Sequence, residues 1–190
     1  MDDFQKDIDQ CIDVLQKGGI ILYPTDTIWG IGCDAKNEEA VKKIFHLKER
    51  NEIKSMIILV ADEQEISNYT NADISKVLPL IINQPKPTTI IYPSGKKIAS
   101  NIIGADGSIG IRIVQDSFCK SLINKFGSAI VSTSANISGK VSPNCFNELD
   151  EKIKKGVDYI VQYKQHELNE SQASRIIRFD KNGTISVIRP

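Results

Sequence analysis

Gly19-Ile20-Ile21-Leu22-Tyr23-Pro24-Thr25-Asp26-Thr27 is the stretch whose reading decides the fold. Ile20 to Tyr23 is a continuous apolar run of strand length, and Pro24, which has no N–H to give a sheet ladder, closes it. A strand apolar at every position is buried on both faces, as in the middle of a helix-covered sheet. Upstream, Phe4, Ile8, Cys11, Ile12 and Leu15 recur at helical spacing, and Gly18-Gly19 stops that helix before the strand begins. Helix followed by buried strand is the first unit of an α/β chain.

The same alternation continues downstream. A loop is expected from Pro24, after which Asn37 caps a helix with the apolar stripe Ala40, Val41, Ile44, Phe45 and Leu47, carrying Lys48-Glu49-Arg50 at its C-terminal end. Met56–Val60 reads as a buried strand, Ile74–Ile82 as a helix, and Thr88–Tyr92 as a strand bounded by Pro87 and Pro93. Ser108–Val114 reads as a strand. Asp116 caps a helix containing Phe118, Leu122, Ile123 and Phe126 that stops at Gly127, and Ala129–Ser132 is the next strand. A loop from Ser134 to Asn147, a charged helix and a strand over Tyr159–Val161 follow. A terminal hairpin joins Ile176–Phe179 to Thr184–Ile188 through Asp180-Lys181-Asn182-Gly183. The terminal hairpin makes a mixed sheet the expectation, in one domain spanning residues 1–190.

Bulk properties remove several function classes. No apolar run approaches the roughly 20 residues that span a bilayer, so no membrane role is expected. Met1 to Gln10 carries aspartate and lysine where a secretory signal would place its apolar core, which gives a cytoplasmic expectation. Cys11, Cys33, Cys119 and Cys145 form no C-x-x-C pair and His46 and His166 stand apart from them, so reduced thiols are expected and a zinc site is not. Lysine plus arginine number 24, as do aspartate plus glutamate, so attraction to a nucleic acid has to come from a local patch.

Four polar segments stand at strand or helix ends, where α/β proteins place their sites: Pro24-Thr25-Asp26-Thr27, Lys48-Glu49-Arg50, Gly107-Ser108 with Arg112, and Ser132-Thr133-Ser134-Ala135-Asn136. Thr25 and Asp26 also suit a simple turn, and Lys48 and Arg50 a solvated helix end. A P-loop is absent, because Gly95-Lys96 and Gly139-Lys140 lack the upstream glycine and the following hydroxyl. Gly30-Ile31-Gly32 with Ala35 satisfies G-x-G-x-x-A, but the five residues between Pro24 and Gly30 remove the glycines from the tight turn that dinucleotide binding needs. Ser132 and Ser134 have no histidine in a triad context.

Taken together, Tyr23-Pro24-Thr25-Asp26-Thr27-Ile28-Trp29-Gly30-Ile31-Gly32, Ile44-Phe45 with Lys48-Glu49-Arg50, Pro85-Lys86-Pro87-Thr88-Thr89, Ile109-Gly110-Ile111-Arg112 and Ser132-Thr133-Ser134-Ala135-Asn136-Ile137-Ser138-Gly139 resemble the YrdC family of threonylcarbamoyl-AMP synthases. The K-x-R pair Lys48 and Arg50, answered by S-x-N at Ser134 and Asn136, carries the resemblance, which runs from about residue 10 onward. It implies an α/β fold, a YrdC-like open twisted mixed β-sheet flanked by helices, with a concave basic face. It implies Lys48, Arg50 and Asn136 as catalytic residues. Arg50, Lys54, Ser108, Ser134, Ser142 and Ser174 are implied against ATP, and Thr25, Thr27, Leu59, Arg112 and Ser132 around threonine. Lys54 stands where many relatives have asparagine, and Met56 to Leu59 replaces a proline-led segment that often ends in histidine.

The implied reaction joins ATP, L-threonine and bicarbonate into threonylcarbamoyl-adenylate for the modification of tRNA at position 37, with downstream threonylcarbamoyl-transfer proteins as partners. Mg²⁺ would enter with ATP, with no direct protein ligand to the metal and no organic cofactor. Such anionic reactants call for cations and neutral hydrogen-bond donors, which the four segments supply. The rival reading is a binding module holding tRNA or double-stranded RNA on the same face without chemistry. RNA surfaces more often interleave exposed aromatic and basic residues than gather hydroxyls at strand ends.

Overall fold

The computed structural model describes residues 4–49, 56–82, 86–167 and 172–190. In chain order its elements are α1 (Gln5–Gln16), β1 (Ile21–Tyr23), β2 (Gly30–Gly32), α2 (Glu38–Leu47), β3 (Ile57–Val60), α3 (Ile66–Tyr69), β4 (Thr88–Tyr92), β5 (Ile109–Ile113), α4 (Ser117–Phe126), β6 (Ile130–Ser134), α5 (Glu151–Lys155), β7 (Tyr159–Ile160), β8 (Arg175–Phe179) and β9 (Ile185–Arg189). The strands form one mixed sheet in the order β7-β1-β2-β6-β3-β5-β4-β8-β9.

Local chemistry sets the helix boundaries. The Asn37 side chain accepts from the Ala40 N–H at 3.0 Å and starts α2. Asp116 accepts from the Cys119 N–H at 2.7 Å and starts α4, which Gly127 ends in the left-handed region at φ 75°. The helix expected over Ile74–Ile82 is instead two 3-10 turns, Ile74–Lys76 and Leu78–Leu80. Pro79 explains the difference, since its ring and missing N–H forbid the i→i−4 ladder that an α-helix through this segment needs. Gly30–Gly32, expected as loop, is a strand antiparallel to β1. Its glycines hide the strand signal and are needed: a Cβ on Gly32 would lie 2.8 Å from the Tyr23 ring and 2.5 Å from the Val131 carbonyl oxygen.

Alternation along the strands divides the core in two. Leu22, Ile31, Ile58, Val60, Ile90, Ile111 and Val131 pack on one face with Ala40, Val41, Ile44 and Phe45 of α2. The alternate residues Ile21, Tyr23, Leu59 and Ile130 pack on the other with Ile8, Cys11 and Leu15 of α1 and Phe118, Leu122 and Ile123 of α4. β1 contributes to both clusters, as its unbroken apolar run requires. On the second face Leu59 lies beside Arg112, and Ile57 lies beside both Gly110 and Ser132. Apolar cover therefore gives way, along the same face, to polar side chains.

α1 is fastened to the distal sheet edge by Asp7. This buried carboxylate accepts from the Tyr159 hydroxyl at 2.6 Å and from the N–H groups of Gln162 and Tyr163 at 3.0 and 2.9 Å. Asp7→Ala should lower unfolding free energy by roughly 2–3 kcal/mol, the scale of hydrogen bonds to a buried charge whose removal strands two amides. Urea denaturation checks this value.

Candidate functional site

The uncovered stretch of the second sheet face is a cavity of about 210 Å³. Its floor follows the sheet register. Arg189 pairs with Ile176, Ile176 with Thr89, and Thr89 with Arg112, so one rung across β9, β8, β4 and β5 carries two arginines and a threonine on one face. β6 adds Ser132 and Ser134, beside Ile57 and Gly30 respectively. Among the described residues, eight serine and threonine side chains and both arginines line the cavity, and no aspartate or glutamate does.

One wall is the turn after β1. The Thr25 hydroxyl donates to the Ile28 carbonyl at 2.8 Å, accepts from the Thr27 N–H at 3.0 Å and meets the Thr27 hydroxyl at 2.9 Å. Its one hydrogen and both lone pairs are thereby occupied, so Thr25 shapes the wall while Thr27 faces the cavity. Asp26 turns away and pairs with Arg112 at 3.1 Å, both side chains being 5% exposed; its other oxygen accepts from the Gln115 N–H at 3.0 Å. This pairing orients Arg112, whose Nε is buried with no hydrogen-bond partner among the described residues. At the foot of the wall Cys119 donates to the Pro24 carbonyl, and burial raises its pKa well above the usual thiol range.

The opposite wall is β6 and the loop after it. Lys48, expected to clamp substrate oxygens, is 2% exposed and donates from Nζ to the backbone carbonyls of Ser134 and of Asn136, the latter at 2.6 Å. Asn136 is likewise turned inward: its Nδ2 donates to the carbonyls of Ile137 and Lys140 at 3.0 and 2.7 Å, and its Oδ1 faces the Ser142 hydroxyl at 3.5 Å. Neither side chain lines the cavity. Both hold the loop that presents Ser134 and Ser142 to it. Trp29 backs this wall, its ring centroid 5.0 Å from that of Phe146.

The far end holds a group that the sequence reading missed. Arg189 donates from Nε to the Ser174 carbonyl at 2.8 Å and approaches the Ser174 hydroxyl at 3.4 Å, which in turn meets Thr89 at 2.9 Å. Partial burial, and then the Arg112 charge, hold Arg189 below the usual guanidinium range. Two like charges facing one cavity favour an anion between them.

The remaining expected residues fall elsewhere. Leu59 is on the cavity's face but lies fully buried in the apolar cluster with α4, and Ile57 takes the lining position. Ser108 is also outside the lining. It belongs to the preceding turn, where its hydroxyl and N–H, with Arg178, hold the Asp106 carboxyl down to about 2. Arg50 and Lys54 lie outside the described residues. Thr27, Arg112, Ser132, Ser134, Ser142 and Ser174 are brought together. Among the described residues no group of three or more His, Cys, Asp or Glu side chains could hold a metal.

The Sua5/YciO/YrdC family model, described as "Telomere recombination", matches residues 13–190. The chain belongs to this family. It is 35% identical over 179 residues to the threonylcarbamoyl-AMP synthase of Buchnera aphidicola subsp. Schizaphis graminum, covering 93% of each chain. To the protein of that name from Idiomarina loihiensis it is 32% identical over 148 residues, 76% of this chain and 80% of the other. P. abyssi Sua5 complexed with L-threonine matches with a TM-score of 0.84 at 24% identity over 96% of this chain, which spans 53% of that protein. E. coli YciO matches with a TM-score of 0.80 at 23% identity, covering 97% of this chain and 89% of that one. These two structural likenesses establish a shared mixed-sheet fold.

Lys48→Met should test the inward role assigned to the family's lysine. It keeps an unbranched side chain of similar length but leaves the Ser134 and Asn136 carbonyls without their ammonium donor, so a stability loss of about 2–4 kcal/mol is expected. Denaturant unfolding would record the loss, and faster amide hydrogen exchange over residues 134–142 would locate it.

Proposed function

We propose that this chain is an L-threonylcarbamoyladenylate synthase, a nucleotidyltransferase making threonylcarbamoyl-AMP and pyrophosphate from L-threonine, bicarbonate and ATP. One observation carries the reading: among the described residues the cavity is lined by two guanidinium groups and eight hydroxyls and by no carboxylate, a set that suits anions. The relatives named threonylcarbamoyl-AMP synthase supply the identity of those anions.

The residues divide the work by position. Arg112, oriented by Asp26, has donors left for the amino acid carboxylate. At the far end of the same rung, Arg189 and Ser174 suit phosphate oxygens, with Ser134 and Ser142 as neutral donors on the β6 side. The threonine amine attacks bicarbonate with loss of water, or the CO2 derived from it with loss of a proton from nitrogen, to give a carbamate. A carbamate oxygen then attacks the α-phosphorus, and the bond to the bridging oxygen of pyrophosphate breaks. Repulsion between the two anions is the main barrier, which paired guanidinium groups in a partly desolvated cleft lower by electrostatics and orientation. Mg²⁺ belongs to the substrate as MgATP and would offset the charge that develops on the leaving pyrophosphate. The product is an activated mixed anhydride, suited to transfer of its threonylcarbamoyl group onto position 37 of tRNA by downstream proteins in the cytoplasm.

Pyrophosphate release should require both threonine and bicarbonate, with serine a poorer substrate by on the order of 1 kcal/mol for the missing methyl group. Equal turnover with alanine, or release without any amino acid, would sink the assignment. Arg189→Ala should lower kcat/KM for ATP by roughly 10- to 100-fold, the loss of one charge-assisted pair. A steady-state titration of ATP at saturating threonine measures it.

A further inference from the structure

The hydroxyl pair in the turn after β1 has a fixed polarity that bears on which ligand atoms it can meet. Thr25 Oγ1 lies 2.8 Å from the Ile28 carbonyl oxygen, and a carbonyl cannot donate, so the single Thr25 hydroxyl hydrogen is committed there. The Thr27 N–H occupies one Thr25 lone pair at 3.0 Å. The 2.9 Å contact between the two hydroxyls then has one consistent direction: Thr27 donates its hydrogen to the second lone pair of Thr25. Thr27, 5% exposed and lining the cavity, is left with lone pairs and no hydrogen to offer.

We infer that Thr25 is a positioning residue that fixes the Thr27 hydroxyl as an acceptor-only group, so that this wall selects an amino acid substrate by a hydrogen on its nitrogen or side-chain oxygen. The inference rests on the function proposed above. It explains why a hydroxyl saturated by its own turn stands in the cavity wall at all: its work is to set the polarity of its neighbour. A ligand with only an acceptor at that point meets lone pair against lone pair. One offering N–H or O–H completes the chain from substrate to Thr27, Thr25 and the Ile28 carbonyl. Discrimination against a ligand lacking a required donor is typically stronger than discrimination by a methyl group. The two possible donors of threonine, its α-amine and its β-hydroxyl, share this chemistry.

Calorimetric titration of wild type, Thr25→Val and Thr25→Ser with three ligands tests the inference. L-Threonine carries both donors, L-2-aminobutanoate lacks the β-hydroxyl, and 2-oxobutanoate replaces the amine by a carbonyl acceptor. Thr25→Val keeps the shape of the wall but frees the Thr27 hydrogen to rotate toward ligand. If the amine is the donor, a wild-type preference for L-2-aminobutanoate over 2-oxobutanoate of more than tenfold should narrow to within about threefold in Thr25→Val. If the β-hydroxyl is the donor, the preference for L-threonine over L-2-aminobutanoate should narrow instead. Thr25→Ser, which retains the hydroxyl, should keep both wild-type preferences. A general distortion of the turn weakens all three ligands by one factor and leaves the preferences unchanged. That result, unaltered affinities in Thr25→Val, or the same narrowing in Thr25→Ser, overturns the inference. Absence of L-threonine binding by wild type is a separate failure, that of the proposed function.

Discussion

Among the described residues, two helices cover one end of one sheet face, and the cleft lies where that cover stops. α1 and α4 pack against Ile21, Tyr23, Leu59 and Ile130. Along β3 the next residue on the same face is Ile57, which already lines the cavity, and along β6 it is Ser132. The sheet could not leave this face bare if its residues were apolar, since exposing them forfeits roughly 25 cal/mol for each Å². Thr89, Arg112, Ser132 and Ser134 make the face tolerable to water, and the same side chains are those an anionic ligand would use. Solubility of an open sheet face and capacity to bind are here one property.

Behind the lining, charge is managed by burial in pairs. Asp26 neutralises Arg112 from behind, and the Lys48 ammonium is met by carbonyl dipoles at the end of β6. An unpaired ion at either place would be too costly to bury. Each of these two buried cations therefore has its partners within the protein. This arrangement lets Lys48 hold the loop after β6 from outside the cavity lining.

The fold was largely legible because its strands are apolar runs of strand length and its helices carry capped apolar stripes, as at Asn37 and Asp116. What was lost had physical causes. Gly30 and Gly32 have no side chains, which leaves Ile31 alone to signal a strand. Lys48 read as a solvated helix end, although it continues the stripe of Ala40, Val41, Ile44 and Phe45 at i+4 and i+3, which was the available sign of burial. Arg189 could not be placed by alternation. Val187 pairs with Ile177 while Arg189 pairs with Ile176, so β9 holds one extra residue at Ile188, and Arg189 is put on the face opposite Val187. A regular strand would have kept the two on one side.

That single extra residue ties the outermost strand to the interior of the site. β9 is exposed along its whole length and has only β8 to pair with, so it is the part of the sheet most prone to fray. With Arg189 turned inward, an anion held between Arg189 and Arg112 spans four strands and bonds the rim of the sheet to its middle. Occupancy by such an anion and pairing of the edge strand would then be linked equilibria, each favouring the other, with the ligand as a reversible staple on the margin of the protein.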